Sequence, residues 1–257
     1  MDELMYRMIF KRKSFHIFKG ELKLSGEVLR EINNQILNLR PLTEGIRTEW
    51  RIVPRDETTC TRGEYCVLLY SEKKDYYLYN AGYMMQQLDL WLASQNIGAC
   101  WYGIGRTKEK TYQGLDFVIM LAIEKEDETD FRRDYTKTKR KDLTEIWQGD
   151  CFCEIADVVR FAPSACNTQP WCVRADPDKL EVYRVLGKRG IMPAARVFYY
   201  NKIDMGIFIL ITELCLKHEN IPYTTALLSD ADEGQENLVA RIVPGDALSV
   251  KENCDDT

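Results

Sequence analysis

The chain has 257 residues, of which 45% are hydrophobic and 29% charged, and its formal net charge is −5 at pH 7. This balance is typical of a globular protein with one large domain or two fused units. It argues against general nucleic-acid binding, which depends on clustered positive charge. No apolar run approaches the ~20 residues that a membrane-spanning helix needs, and no signal-peptide pattern is visible. We therefore expect a cytoplasmic protein with no nucleic-acid or membrane partner.

The first chemistry-bearing segment along the chain is the run Arg12-Lys13-Ser14, followed by His16. An arginine can bind two oxygens at once, a lysine adds a point charge and a serine hydroxyl can donate, so the run suits a phosphate group. His16 is mostly uncharged at neutral pH but can still donate one hydrogen bond. An exposed basic strand is the alternative interpretation of the same run.

Periodicity and composition predict the main elements. Runs rich in β-branched and aromatic residues predict strands at 65–70, 117–123, 171–175 and 180–185. Two runs that are apolar on most sides predict interior helices at 82–95 and 206–217, with Asn80 and Asp204 as N-caps. The predicted core comprises Leu88, Trp91, Leu92, Val118, Met120, Leu210 and Leu214.

The segment Gly98-Ala99-Cys100-Trp101-Tyr102-Gly103 directly follows the first of these helices. Gly98 and Gly103 would let backbone N–H groups approach a ligand where no side chain intrudes. Trp101 and Tyr102 could line that ligand, although aromatic residues between glycines are more often core or wall residues. We interpret Cys100 as a small apolar filler. Further along, the basic stretch 132–141 is typical of a solvated linker, which leaves a phosphate role open for Arg140.

The APS loop, which we define as residues 162–171, has the sequence Ala-Pro-Ser-Ala-Cys-Asn-Thr-Gln-Pro-Trp. Pro163 and Pro170 fix their own φ and restrict the residues before them, so we predict a stiff, extended loop. Ser164, Asn167 and Gln169 carry groups that both donate and accept. Such a loop suits the polar edge of a planar heterocycle. A plain turn between a helix and a strand is the alternative interpretation.

Four segments together resemble motifs of the FMN-dependent nitroreductase family. The APS loop is similar to that family's A-P-S-x-x-N-x-Q-P-W, and the segment that starts at Arg12 to its R-R-S-[IV]-R-x-F opening, with His16 where Arg or Lys is usual. Residues 97–103 resemble the L-G-x-x-x-x-G turn after the family's central helix. Residues 140–146, Arg-Lys-Asp-Leu-Thr-Glu-Ile, resemble its R-K-P-L-E-E-[IV] tail, with Asp142 in place of the usual Pro.

The order of these motifs differs from that of an ordinary family subunit, in which the APS loop comes early. An internal repeat accounts for the difference, because three pairs recur at nearly constant spacing: Pro41 and Pro163, Trp50 and Trp171, Gly82 and Gly206. We therefore predict two related halves in tandem, 1–146 and 147–257, packed as one compact unit. The expected fold is an α+β, nitroreductase-like α/β sandwich that forms an internal pseudo-dimer, and hence a monomer.

Each half lacks part of the family's motif set. The first half has the Arg12 run, the glycine turn and Arg140, but its equivalent of the APS loop, residues 41–45, lacks the Asn and Gln. The second half has the APS loop but no glycine turn at 221–224. We expect one composite site that holds a single FMN. Its expected cofactor-binding residues are Arg12, Lys13, Ser14, His16, Gly98, Cys100, Trp101, Tyr102, Gly103, Arg140, Pro163, Ser164, Asn167 and Gln169.

The resemblance implies an oxidoreductase in which FMN accepts a hydride from NADH or NADPH. A nitroaromatic, a quinone or a similar small molecule then takes the electrons. No residue is expected to act as an essential acid or base, so no catalytic residue is assigned. The alternative is a degenerate carrier or sensor that binds a flavin or another ligand without turnover, which His16 and Asp142 favour. A dehalogenase or fragmenting oxygenase of the same fold is a third possibility.

The nine cysteines predict neither a disulfide framework nor a metal site. Their number is odd and no CxxC motif occurs. Cys151 and Cys153 are too close in sequence for an ordinary zinc pair, and only His16 and His218 could add imidazole ligands. His218 is expected to lie at the surface or at the end of a helix.

Overall fold

The computed structural model describes residues 1–186, 189–229, 231 and 234–245. The chain divides into two compact units. The first comprises Met1 and Glu3–Lys137, and the second comprises Asp2 and Thr138–Thr257. Within the described ranges, every helix is too short or too polar to span a bilayer.

The first unit is an antiparallel sheet with three helices. Its elements in chain order are α1 (Asp2–Lys11), α2 (Gly26–Ile36), β1 (Thr48–Pro54), β2 (Tyr65–Ser71), α3 (Tyr77–Ser94), β3 (Ile97–Trp101), β4 (Thr111–Tyr112) and β5 (Leu115–Lys125). The strand order is β1-β2-β5-β3, and β4 pairs with β5 at the side. The central strand β2 is buried along nearly its whole length, which fits its continuous apolar sequence.

The second unit has a sheet of the same kind. Its elements are α4 (Leu143–Ile146), β6 (Trp147–Gln148), α5 (Cys153–Val159), β7 (Trp171–Asp176), β8 (Lys179–Val185), α6 (Val197–His218), β9 (Tyr223–Leu227) and β10 (Glu236–Pro244). The strand order is β6-β7-β8-β10-β9. All neighbours are antiparallel except β6 and β7, which are parallel.

The two units share one topology. In each, a helix precedes two paired strands, a long buried helix follows, and two more strands complete the sheet. The order β1-β2-β5-β3 corresponds strand by strand to β7-β8-β10-β9. The strands predicted at 65–70, 117–123, 171–175 and 180–185 lie within β2, β5, β7 and β8, so these predictions are confirmed. The mixed α+β class is also confirmed.

The two long helices begin earlier than predicted. The prediction that Asn80 and Asp204 are N-caps is wrong, because α3 already begins at Tyr77 and α6 at Val197. Both side chains are buried inside their helices and accept hydrogen bonds from loops instead. The predicted core residues are buried except Trp91, which is only partly buried, as is common for the large indole. His218 is the exposed last residue of α6.

The division between the units falls at Lys137, nine residues before the boundary expected at residue 146. The cause is the pairing of two strands. Trp147 and Gln148 of β6 pair with Val173 and Arg174 of β7, so the tail segment joins the second sheet. Arg140, which we had assigned to the first half, therefore belongs to the second unit.

Candidate functional site

In the first unit, Arg12 forms a buried ion pair. Arg12 is the C-cap of α1, because its backbone N–H still donates to Met8 O (2.9 Å) while its own backbone conformation is extended. Its Nε lies 3.1 Å from Asp89 Oδ2 of α3, and the two side chains are 4% and 2% exposed. Trp101 Nε1 donates to the same carboxylate oxygen (3.2 Å). The Asp89 carboxylate thus contacts both the guanidinium of Arg12 and the indole of Trp101.

Arg132 adds a second guanidinium, and we call Arg12, Asp89, Trp101 and Arg132 the Arg12 cluster. The Arg132 backbone N–H donates to the carbonyl of Lys11 (3.0 Å), which fixes its place beside Arg12. Burial, and then the charge of Arg12, lowers the pKa of Arg132 to about 10, although Asp89 acts in the opposite direction. Two cations therefore share one carboxylate. Arg12 Nη2 is buried and has no hydrogen-bond partner among the described residues.

The segment that follows Arg12 lies beside β3. Ser14 forms a parallel bridge with Ala99, and Phe15 N donates to Ala99 O (3.0 Å). Lys13 Nζ stands 4.5 Å from the centre of the Phe15 ring. Backbone pairing thus holds Ser14 next to the strand that carries the glycine motif.

His16 is exposed and contacts a further arginine. Its Nδ1 is 2.9 Å from Arg62 Nη1, which also donates to Cys100 Sγ (3.1 Å). Burial, followed by the charges of Arg62 and Arg12, lowers the pKa of His16. Burial is thus the main cause of the lowered pKa of both His16 and Arg132, and neighbouring arginines act in the same direction.

The expected glycine turn is mainly a strand. Gly98 lies within β3, so the prediction that it opens a turn is wrong. A Cβ at this position would come within 2.9 Å of Glu126 Cγ and 3.0 Å of Phe15 Cδ2. Gly98 is therefore needed for the close packing of Phe15 against β3. The chain turns only at Gly103.

The residues between the two glycines have separate surroundings. Trp101 is held by Asp89 of the Arg12 cluster. Tyr102 packs against the apolar cluster around β2 and β5, and its hydroxyl lies 3.4 Å from Thr61 Oγ1. Cys100 is fully buried in the same apolar cluster, which fits its interpretation as filler, and burial raises the pKa of its thiol.

In the second unit, the APS loop is compact, and the prediction of an extended loop is wrong. Ala165–Asn167 form a short 3-10 turn, and Cys166, Asn167 and Gln169 have φ values of 52°, 55° and 47°. The prolines fix only their own φ, whereas Gln169 N donates to Ser164 Oγ (2.9 Å) and folds the loop back on itself. Three non-glycine residues in the left-handed region store strain, which is typical of functional sites.

Arg140 and Asn167 contact each other directly. Arg140 Nη1 donates to Asn167 Oδ1 (2.9 Å), and Nη2 donates to Phe161 O (3.1 Å). We had expected Arg140 at a phosphate and Asn167 at a ring edge, which lie at opposite ends of FMN. Since the two side chains are bonded to each other, they would address the same end of a ligand.

Gln169 and Lys141 hold the base of the loop. Lys141 N donates to Gln169 Oε1 (2.9 Å), and Gln169 Nε2 donates to Asn167 O (3.2 Å). Gln169 is 3% exposed, so its amide organises the loop within its own unit. Asn167 is exposed at the loop surface.

The buried carboxyl group of Asp204 holds the APS loop by a hydrogen bond. Asp204 Oδ1 accepts from Ala165 N (2.9 Å), and burial raises the pKa of Asp204 to about 8. The first unit contains an equivalent contact, since Leu42 N donates to Asn80 Oδ1 (2.7 Å). In both units a polar side chain of the long helix fixes the loop before the first strand of the sheet.

Asp142, the departure from the usual proline, immediately precedes α4. Its backbone N–H donates to Glu145 Oε1 (3.2 Å), as in a capping box. Asp in place of the family's usual Pro therefore provides the N-cap residue of this short helix.

The expected residues fall into two groups according to the unit to which they belong. The first group comprises Arg12, Lys13, Ser14, His16, Gly98, Cys100, Trp101, Tyr102 and Gly103, and the second comprises Arg140, Pro163, Ser164, Asn167 and Gln169. Sequence reasoning missed Asp89, Arg132, Arg62 and Asp204. Within the part of the chain that the structure describes, no group of three or more His, Cys, Asp or Glu side chains is arranged to hold a metal ion.

The fold and the grouped motifs define a nitroreductase-like α+β protein. The family model described as "Putative TM nitroreductase" matches residues 4–215, and the chain belongs to this family. Membership indicates an oxidoreductase. No curated protein matches the chain.

Two solved structures resemble it. The crystal structure of a "putative nitroreductase" from Thermotoga maritima has a TM-score of 0.62 at 17% identity, and the match covers 93% of each chain. At this identity the likeness shows the fold alone. A nitroreductase-like family protein from Bacillus cereus matches with a TM-score of 0.38 at 12% identity, over 55% of this chain and 92% of that one.

Proposed function

We propose that this protein is an FMN-dependent oxidoreductase. It would take electrons from NADH or NADPH and pass them to a nitroaromatic, a quinone or a similar small molecule. Bound FMN supplies hydride acceptance and release, and the chain supplies binding, orientation and charge.

The uncompensated positive charge of the Arg12 cluster carries this proposal. Arg12 and Arg132 share the single carboxylate of Asp89, and Arg12 Nη2 is buried without a partner among the described residues. A buried guanidinium edge without an acceptor is costly, and a phosphate with close to two negative charges would satisfy it. The donor set therefore fits the phosphate of FMN.

The second unit offers a further set of ligand groups. Arg140 and Asn167 form one polar pair, and Ser164 already accepts from Gln169 N, so its hydroxyl hydrogen remains for a ligand. We propose that this pair binds a polar group of the ligand, and that Gln169 acts by positioning Asn167. The shared strand order of the two units supports a tandem duplication, in which each half has lost what the other supplies.

No side chain in this proposal is an acid or base. The residues that would contact the flavin through side-chain donors are Arg12, Arg132, Lys13, Ser14, His16, Arg140, Ser164 and Asn167. Their contribution is placement and electrostatic stabilisation, since solvent can supply protons in an open site.

The test is the colour of the purified protein and its response to nicotinamides. We expect a yellow protein whose flavin absorbance bleaches anaerobically with NADH or NADPH and returns with a quinone. Arg132→Gln should weaken FMN binding about ten- to a hundredfold, because a charge-assisted bond contributes roughly 1.5–3 kcal/mol. The exposed Arg7→Gln is the charge-matched control and should bind like wild type.

Two outcomes would contradict the proposal in different ways. A yellow protein that neither nicotinamide reduces would be a carrier or sensor, the alternative function. A protein that binds no FMN, or one whose FMN affinity is the same in Arg132→Gln and Arg7→Gln, would remove the phosphate assignment.

A further inference from the structure

A rigid loop between β1 and β2 carries Cys60. Arg55 N donates to Glu64 O (3.0 Å) across the base of this loop, and Arg55 Nη1 donates to Gly63 O (3.2 Å). At Gly63 the φ is +68°, and a Cβ there would come within 2.8 Å of Ile123 O of β5. The loop is therefore pressed against the sheet, and its side chains have fixed neighbours.

Two thiols meet under this loop. Cys60 is 6% exposed, and Cys66 on β2 is fully buried in the same apolar cluster. Both are free thiols, and Cys60 Sγ donates to the carbonyl oxygen of Arg62 (3.5 Å). Thr58 links the two cysteines, because its hydroxyl lies 3.6 Å from Cys66 Sγ and accepts from Cys60 N (3.0 Å).

The charges around the pair distinguish the two sulfurs. The neighbouring Cys66 thiol, with the backbone of Arg62 and the charges of Arg62 and Arg55, lowers the pKa of Cys60 to about 7, although burial acts in the opposite direction. The neighbouring Cys60, together with burial, raises the pKa of Cys66. Near neutral pH a substantial fraction of Cys60 is therefore thiolate, with the neutral thiol of Cys66 behind it, and this combination favours thiol oxidation.

We propose that Cys60 and Cys66 are a peroxide-reactive dithiol that closes to a disulfide. The Cys60 thiolate attacks one oxygen of hydrogen peroxide, the O–O bond breaks, and the released hydroxide takes up a proton to become water. This leaves a sulfenic acid on Cys60. The sulfur of Cys66 then attacks the Cys60 sulfur and displaces the sulfenic oxygen as a second water. Two thiols and one peroxide thus give one disulfide and two waters.

The proposal is independent of flavin binding and is tested on the full chain. The reduced protein is treated with one equivalent of hydrogen peroxide at pH 7.5, its remaining thiols are alkylated, and it is digested with trypsin. Because cleavage after Arg62 separates the two cysteines, the disulfide would join peptides 56–62 and 63–73. We expect this linked peptide to appear, and to vanish after treatment with dithiothreitol.

Three variants assign the steps. Cys66→Ser should abolish the linked peptide and leave a sulfenic acid on Cys60 that dimedone traps. Arg62→Gln should slow the reaction several-fold at pH 7, since the thiolate fraction falls. Its rate is followed by the loss of free thiols, because the variant lacks the tryptic site between the two cysteines. Cys215→Ser is the control, because Cys215 is a buried thiol in α6 whose pKa burial raises, and it should react like wild type.

Peroxide that oxidises the exposed Cys166 while Cys60 and Cys66 remain free thiols would overturn the proposal. A rate of Cys66 oxidation that is unchanged in Cys60→Ser would overturn it as well. If a variant fails to fold, the pH dependence of the wild-type rate decides. A rise centred near pH 7 supports Cys60 as the nucleophile, and a rise that begins only above pH 8.5 contradicts it.

Discussion

At the scale of single residues, the site depends on ionisable groups buried in two apolar helices. Asp89 balances Arg12 in the first unit, and Asp204 holds the APS loop in the second. Each lies among apolar residues of its helix, and a buried carboxyl group in such a setting needs a partner. That signal is present in the sequence. The identity of the partner is not, because Arg12 and Asp89 are far apart along the chain.

The buried pair also determines which arginine is informative to substitute. Removing Arg12 would take away the direct ion-pair partner of the buried Asp89, and breaking a buried pair typically costs about 3–5 kcal/mol of folding stability. Loss of FMN from such a variant would then have two causes. Arg132 is half-buried and lacks this direct pairing, so it reports ligand binding more cleanly.

Asp204 should make stability depend on pH in a defined direction. Its folded pKa is raised to about 8 from 3.8, so its contribution is present below about pH 4 and is lost as pH rises through 8. Asp204→Asn retains an acceptor for Ala165 N but does not titrate. We expect the wild type to lose on the order of a few kcal/mol, relative to this variant, between pH 5 and pH 8.5.

The measurement is the urea midpoint of both proteins at the two pH values. The exposed Asp178→Asn is the matched control and should follow wild type at both. Parallel pH dependence in wild type and Asp204→Asn would show that the carboxyl group is already ionised at pH 5.

At the scale of elements, composition predicts the strands better than the loops. The β-branched and aromatic runs that form β2, β5, β7 and β8 are buried on both faces or alternate cleanly, so local pattern and tertiary context agree. The glycine segment and the APS loop were predicted less well. Gly98 serves packing against Phe15, and the APS loop is folded by bonds to Asp204 and Lys141, which are distant in sequence.

Gly98→Ala should test the packing role of this glycine. The added methyl would press on Phe15 and Glu126, and overpacking of this kind costs roughly 1–3 kcal/mol. Gly26→Ala is the control, because its Cβ would meet only Arg30 Nη1 at 3.9 Å and a helical alanine is favoured over glycine. Chemical denaturation should show loss of stability in the first variant and none in the second. Equal midpoints would mean that β3 has room for the methyl.

At the scale of the whole molecule, recurring proline, tryptophan and glycine positions predict an internal repeat. The structure adds the shared strand order of the two units and the shared loop contacts of Asn80 and Asp204. The position of the boundary could not be predicted from motifs alone. It depends on the pairing of β6 with β7, which is a long-range contact of a two-residue strand without a distinctive sequence pattern.

The central claim is the proposed binding of one FMN per chain, and a stoichiometric titration of the intact chain with FMN tests it most directly. We predict one FMN per chain, and a loss of affinity of about ten- to a hundredfold in Arg132→Gln of the first unit. Asn167→Ala of the second unit should weaken binding as well. Two FMN per chain, no FMN, or a wild-type affinity in either variant would contradict the proposed binding of one FMN.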